Sequence, residues 1–106
     1  MAEKLGDVLD NLDIYEWRDW VYLDQTKGAN LRSSCIVLNP DEAELSEDGF
    51  TPLAVERLSM EEFLSIQDLI SVRDNLLVRW PSVGIKEICD AAVYYYENDA
   101  FIPLQS

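Results

Sequence analysis

Apolar and polar residues alternate with different periods along this chain, and each change of period marks an element. Leu5, Val8, Leu9 and Leu12 recur at helical spacing with acidic residues between them, which predicts a short amphipathic helix over residues 2–12, weakened by Gly6. Aromatic and β-branched residues then concentrate, with Trp20 and Tyr22 alternating with Val21 and Leu23. This predicts a strand over 20–25. Gly28 and Asn30 place a turn in residues 26–30, and the apolar run "SSCIVLN" at 33–39 reads as a second strand, so an antiparallel hairpin is the simplest pairing. Asn39-Pro40 ends it, because proline restricts its predecessor and cannot donate to a ladder.

Residues 49–59 have no clear period, and "LAVERLS" after Pro52 fits either a short helix or the start of a strand. Two helix starts compete beyond it, Ser59 with Glu62 and Ser65 with Asp68. The start at Ser65 is preferred, which leaves "EFLSI" extended and able to add a third strand. Ile66, Leu69, Ile70, Leu76, Leu77 and Trp80 then share one helical face, and Pro81 marks its stop. Arg73 falls within that face. Its aliphatic stem is expected along the core edge with the guanidinium on a carboxylate, since a grip on an anionic ligand has no phosphate loop to support it. Ser82 can cap the next helix. Stepping that helix at about 100° per residue puts Ile85, Ile88, Cys89, Ala92 and Tyr96 on one face, with Val93 and Tyr95 at its shoulders, up to a stop near Asn98. Tyr94 falls opposite, among Glu87, Asp90, Glu97 and Asn98. The elements sum to an α+β fold: a small antiparallel sheet, a hairpin with an optional third strand, packed against about three helices. Residues 1–106 carry no repeat, low-complexity tract or linker, so one domain is expected.

Composition narrows the chemistry. The chain has 21 acidic and 8 basic residues, a formal net charge of −13, yet is 48% hydrophobic. That apolar content is too high for a disordered acidic tail, so the charge sits on a folded surface. Such a surface repels phosphate backbones and anionic headgroups, which disfavours nucleic-acid and membrane binding and favours a basic partner. There is no histidine, which removes the commonest general base, the commonest metal ligand and every Ser-His or Cys-His pair. Cys35 and Cys89 lie far apart in apolar surroundings and read as small buried hydrophobes, neither a metal site nor a redox pair. The acidic run "DEAELSED" at 41–48 reads as a solvated loop or short helix; Ala43 and Leu45 stand where an EF-hand would need ligands, so no metal is assigned. No cofactor or small-molecule substrate is implied. The N-terminus has no apolar signal region and no stretch is long enough to span a bilayer, so a soluble, reducing, cytoplasmic setting is expected.

Several stretches together, "W-x-x-W-x-Y-L" at 17–23, "VLNPDE" at 37–42, "S-I-Q-D-L-I" at 65–70 and the closing "YYYENDAF" at 94–101, resemble a family. It is the family of small acidic bacterial proteins found in polymorphic toxin loci, in particular the immunity proteins of contact-dependent growth inhibition systems. The resemblance runs from about Leu5 to Ile102, and no catalytic motif defines it. It implies a protein that binds a cognate toxin domain, often a nuclease, and blocks it in the cytoplasm of the producing cell.

Partner-binding candidates follow from charge and aromatic content. Affinity usually resides in a few desolvated aromatic or arginine anchors, while charges steer encounter. The candidates are Asp41, Glu42, Glu44, Glu47 and Asp48 in the acidic run, Glu87, Asp90, Tyr94 and Glu97 on the last helix, and Trp17. Trp20 and Tyr22 join them if exposed, although for each tryptophan burial in the core is the first expectation. Two other classes compete: an acidic adaptor or nucleic-acid mimic that occupies a host DNA-binding protein, and an enzyme with paired carboxylates. The last has almost no specific signal in so acidic a chain, so no catalytic residue is assigned.

Overall fold

The alternation at 20–23 becomes two unlike surfaces in the structure, a computed structural model that describes residues 3–25, 28–49 and 51–103. Successive side chains of a strand point to opposite faces. In β2 (Trp20–Leu23), Val21 and Leu23 enter one apolar cluster while Trp20 and Tyr22 enter another. β3 (Ser34–Leu38) pairs with it antiparallel and sets Val37 opposite Val21 and Ile36 opposite Tyr22, so cross-strand neighbours share a face. The turn joining this hairpin includes Thr26 and Lys27, which lie outside the described residues. β1 (Glu3–Lys4) and β4 (Glu61–Ser65) complete a four-stranded antiparallel sheet in the order β1-β3-β2-β4. With helices packed against it, the fold is α+β, and "EFLSI" does supply a further strand.

β4 is bulged. Trp20 pairs with Ser65 and Tyr22 with Glu62, so Phe63 and Leu64 together stand opposite Val21 alone. The extra residue lets both Phe63 and Leu64 bury in the same cluster, against the strict alternation of a regular strand. It also puts Glu62 opposite Tyr22.

Three helices cover the face of Val21, Leu23 and Cys35. α1 (Leu5–Leu9) is shorter than the expected helix over 2–12: Glu3 and Lys4 are in β1, and Leu12–Ile14 form a separate 3₁₀ turn. The start of that expected helix, Ala2, lies outside the described residues. Gly6 has a positive role, since its N–H donates to the Leu31 carbonyl at 2.9 Å and a Cβ there would stand 3.1 Å from that same oxygen. α3 (Ile66–Arg79) starts as expected, with the Ser65 hydroxyl accepting from the Asp68 amide at 3.1 Å. Ile66, Leu69, Val72 and Leu76 are its buried residues; Trp80, expected on this face, has left the helix and is 40% exposed. Arg73 behaves as expected, donating to both Asp13 carboxylate oxygens at 3.2 Å and to Asp74 at 3.0 Å. Partial burial opposes its charge, but hydrogen bonds and charge attraction from Asp74 and Asp13 outweigh it and raise its pKa.

α4 (Ile85–Asn98) differs from expectation at both ends. Ser82 is exposed and caps nothing; Gly84 is the N-cap residue, with no side-chain cap, and the Glu87 carboxylate folds back beside it. The buried residues are Ile88, Cys89, Ala91 and Ala92, all but Ile88 small, so α4 lies close to its neighbours along a stripe rotated toward Ala91. That rotation carries Tyr96 out to 42% exposure, where its ring tilts against Phe63 at 5.1 Å and its hydroxyl accepts from Gln25 Nε2 at 3.5 Å. Tyr94 is half-buried, not displayed to solvent. The stop at Asn98 holds: Asp99 adopts a left-handed conformation and its N–H donates to Tyr95 O at 2.8 Å. Cys35 and Cys89 are free and buried, and burial pushes their thiols up to about 12 and about 11.

The other face is covered by less. α2 (Leu53–Arg57), the short-helix option for the stretch after Pro52, contributes Val55 to a small cluster with Tyr22, Ile36 and Met60. Trp20 and Leu38 flank it.

Candidate functional site

The strand register builds a cleft on this thinner face. Trp20 and Tyr22 project from β2, Glu61 and Glu62 come from the edge strand β4, and the excursion between β3 and β4 supplies Pro40, Thr51, Pro52, Val55 and Met60. These residues enclose about 540 Å³. The walls are apolar and aromatic, whereas both Glu61 and Glu62 are exposed at the rim. Tyr22 is only 3% exposed, and its hydroxyl makes no hydrogen bond among the described residues. Burial first, then the charges of Glu62 and Asp41, push the Tyr22 phenol up to about 12, so it is a neutral hydroxyl at physiological pH.

The excursion that roofs the cleft is ordered by its own hydrogen bonds. Leu45 bridges Pro52, the Ser46 N–H donates to the Thr51 carbonyl at 2.8 Å, and Gly49 takes a φ of +77° to close the turn. Asp48 clamps it, accepting from the Ser46 hydroxyl at 2.8 Å, the Thr51 N–H at 2.8 Å and the Thr51 hydroxyl at 2.7 Å. The acidic run is thus a small hairpin-like loop, neither a helix nor unstructured chain, and Asp48 has an architectural duty in it. Asp41, Glu42, Glu44 and Glu47 remain exposed, with Glu44 beside a second hollow of about 370 Å³ lined by Leu53, Ala54, Arg57 and Leu58.

The candidates on α4 lie elsewhere. α4 packs on the Val21–Leu23 face and the acidic loop on the other, so the sheet separates the two groups and they form no single surface. Glu87 is half-buried against the start of its own helix, where a carboxylate opposes the positive end of the helix dipole. Asp90 shares a hollow of about 250 Å³ with Arg32 and Lys86, and Glu97 is exposed. None of the loop or α4 candidates lines the cleft, although the charge of Asp41 is felt by the Tyr22 hydroxyl within it.

Trp17 is the most exposed tryptophan, at 61%, against the expectation of burial. The backbone beneath it is fixed. Gln67 N–H donates to Trp17 O at 3.2 Å, Ile66 N–H donates to Asp19 O at 2.8 Å, and Asp19 N–H donates to Glu16 O at 3.0 Å. The first two use free amides of the α3 N-terminus to hold the loop, and the third closes a turn within it. The Arg18 guanidinium lies 5.4 Å from the Trp17 ring centre, a cation–π distance. Glu61 and Glu62 were not among the candidates. The pairing of two aromatic residues on one face of β2 was a usable signal for the cleft, but the bulge that brings Glu62 to that face has no mark in the sequence.

Fold and site together define a small acidic α+β domain with an aromatic-floored, carboxylate-rimmed cleft on the open side of its sheet. The chain belongs to the family described as a domain of unknown function, DUF7716, whose model matches residues 2–104. Neither a curated protein nor a solved structure matches it. Among the described residues no helix is long and apolar enough to cross a membrane.

Proposed function

We propose that this protein is an immunity protein that binds a cognate toxin domain, of basic nuclease type, and neutralises it by direct occlusion in the cytoplasm of the cell that makes both. The observation that carries this reading is a net charge of −13 borne by a folded domain. A nuclease surface must be positive to hold phosphates, and an acidic inhibitor gains fast, steered association with it. Trp17, exposed on a hydrogen-bonded backbone, supports the reading because a rigid aromatic anchor loses little entropy on binding. The resemblance of "VLNPDE" and "YYYENDAF" to immunity proteins supplies the toxin as the partner.

The test is co-purification with the product of the adjacent upstream gene, followed by assay of that product's activity with and without this chain. A tight complex that weakens with salt and abolishes activity is expected. No complex with, and no inhibition of, any neighbouring toxin domain sinks the reading. Capture of a host DNA-binding protein instead points to an acidic adaptor.

A further inference from the structure

We propose that the cleft between β2 and α2 receives an arginine side chain of the protein partner, its guanidinium seated among the Trp20 ring, the Tyr22 hydroxyl and the Glu62 carboxylate. This rests on the partner-binding reading above and names the group that is bound. The cleft's volume, about 540 Å³, lies within the roughly 300–1,000 Å³ typical of ligand pockets. Its lining divides as an arginine does. Pro40, Pro52, Val55 and Met60 suit the methylene stem, while Trp20 offers a ring face and the rim offers carboxylates to the charged end.

Tyr22 is the independent pointer to an occupant. Its side chain is 97% buried and its hydroxyl bonds no described residue, yet that oxygen is not sealed from solvent, so it opens to the cleft it lines. Its phenol oxygen can accept from a donor in the cleft. Positive charge suits that donor best, because Glu62 stands across the β2–β4 ladder from Tyr22 and Asp41 also acts on its hydroxyl, a setting that attracts cations and repels phosphate or carboxylate. Arginine fits better than lysine. A planar guanidinium can stack on Trp20 while its separate N–H groups reach both a carboxylate and the phenol oxygen, which a compact ammonium cannot do from one position. Glu61 and Glu62 lie on the edge strand, so a docking protein surface has access to the rim.

The full-length protein would be titrated with N-acetyl-arginine amide while the three indole N–H resonances are followed by NMR. N-acetyl-citrulline amide, the neutral isostere, and putrescine, a flexible diamine, serve as comparison ligands. The expected result is a saturable shift confined to Trp20, half-complete at a concentration on the order of 10 mM, as for a small fragment. Citrulline amide should give no saturation. Glu62→Gln, an exposed isosteric change, should raise the half-saturation point roughly tenfold, and Tyr22→Phe should raise it about threefold. No saturable shift, an equal response to citrulline amide, tighter binding of putrescine, or an unchanged midpoint in Glu62→Gln would each overturn the proposal. A failed titration alongside an intact toxin complex removes the pocket assignment and leaves the immunity reading standing. A successful titration with no toxin bound has the opposite consequence.

Discussion

The two faces of the sheet solve different problems. One is sealed by α1, α3 and α4 around Leu5, Val21, Leu23, Ile66 and Leu69, all effectively without solvent contact. Among the described residues the other buries Tyr22, Ile36, Val55 and Met60, and beside them it keeps Trp20 in a cleft rimmed by carboxylates. The sealed face is mostly aliphatic and closed to solvent, so it is where the fold draws most of its stability. Leaving aromatic surface partly uncovered next to charge adds little to folding. Under the binding proposal above, that surface is completed by the partner.

The largest effect that can break this contrast is cavity formation. Leu69→Ala on the sealed face should cost about 4 kcal/mol, since interlocked helices cannot collapse around the void. Met60→Ala, a deletion of similar size on the open face, should cost only about 2 kcal/mol because Met60 already borders the cleft and water can enter. Urea unfolding of both variants measures the difference. Equal losses would mean that the second face is as firmly packed as the first.

The sealed face was largely legible from residue patterns, and the open one was not. Helical spacing from Ile66 to Leu76, the Ser65 cap, the hairpin and the burial of both cysteines all follow from local rules that the packing then obeys. The position of Arg73 was readable too, because a long basic side chain at a core edge has one economical solution. What failed depends on tertiary contact. Glu3 and Lys4 carry no strand signal and become one by pairing with Cys35 and Ser34. Helical stepping from Ile85 puts Tyr96 on the core face, whereas small Cys89, Ala91 and Ala92 set which side of α4 approaches the sheet. The bulge in β4 and the five-residue α2 are too local and too short to leave a period, and both shape the cleft.

Protons report the same contrast with a smaller effect. A thiol that holds its proton more tightly folded than unfolded stabilises the fold wherever both states are protonated. That contribution declines as pH climbs from the unfolded pKa toward the folded one. For Cys35 the window runs from 9.0 to about 12, and for Cys89 from 9.0 to about 11. Tyr22, on the open face, contributes only from 10.0 to about 12. Stability should therefore be flat from pH 7 to 8 and fall above 9, by about 1.4 kcal/mol per pH unit for each group titrating. Between pH 9 and 10 the two thiols are the groups involved, so Cys35→Ala should nearly halve the slope there. Tyr22→Phe should leave that interval unchanged and reduce the slope only above 10. Urea midpoints at half-unit pH steps check both, and an unaltered slope in Cys35→Ala would show that the sealed face is open to hydroxide.

The smallest expected change in stability belongs to the residue with the largest expected change in binding. Trp17 is 61% exposed, and the bonds that hold its loop run through its carbonyl and through Asp19, not through its indole. Trp17→Ala therefore leaves the loop's backbone bonds in place and removes a largely exposed ring beside Arg18, so the unfolding free energy should move by no more than about 0.5 kcal/mol. If the indole is an anchor for the toxin, the complex should dissociate on the order of tenfold faster with little change in association rate. Charge reversal of Glu42 and Glu47, both exposed in the acidic loop, should do the converse, slowing association at low salt and leaving dissociation nearly unchanged. Surface-plasmon kinetics at two ionic strengths separate the two behaviours. Loss of stability in Trp17→Ala would make the indole part of the fold, and unchanged dissociation with full stability would move the anchor away from this loop, toward the cleft on the open face.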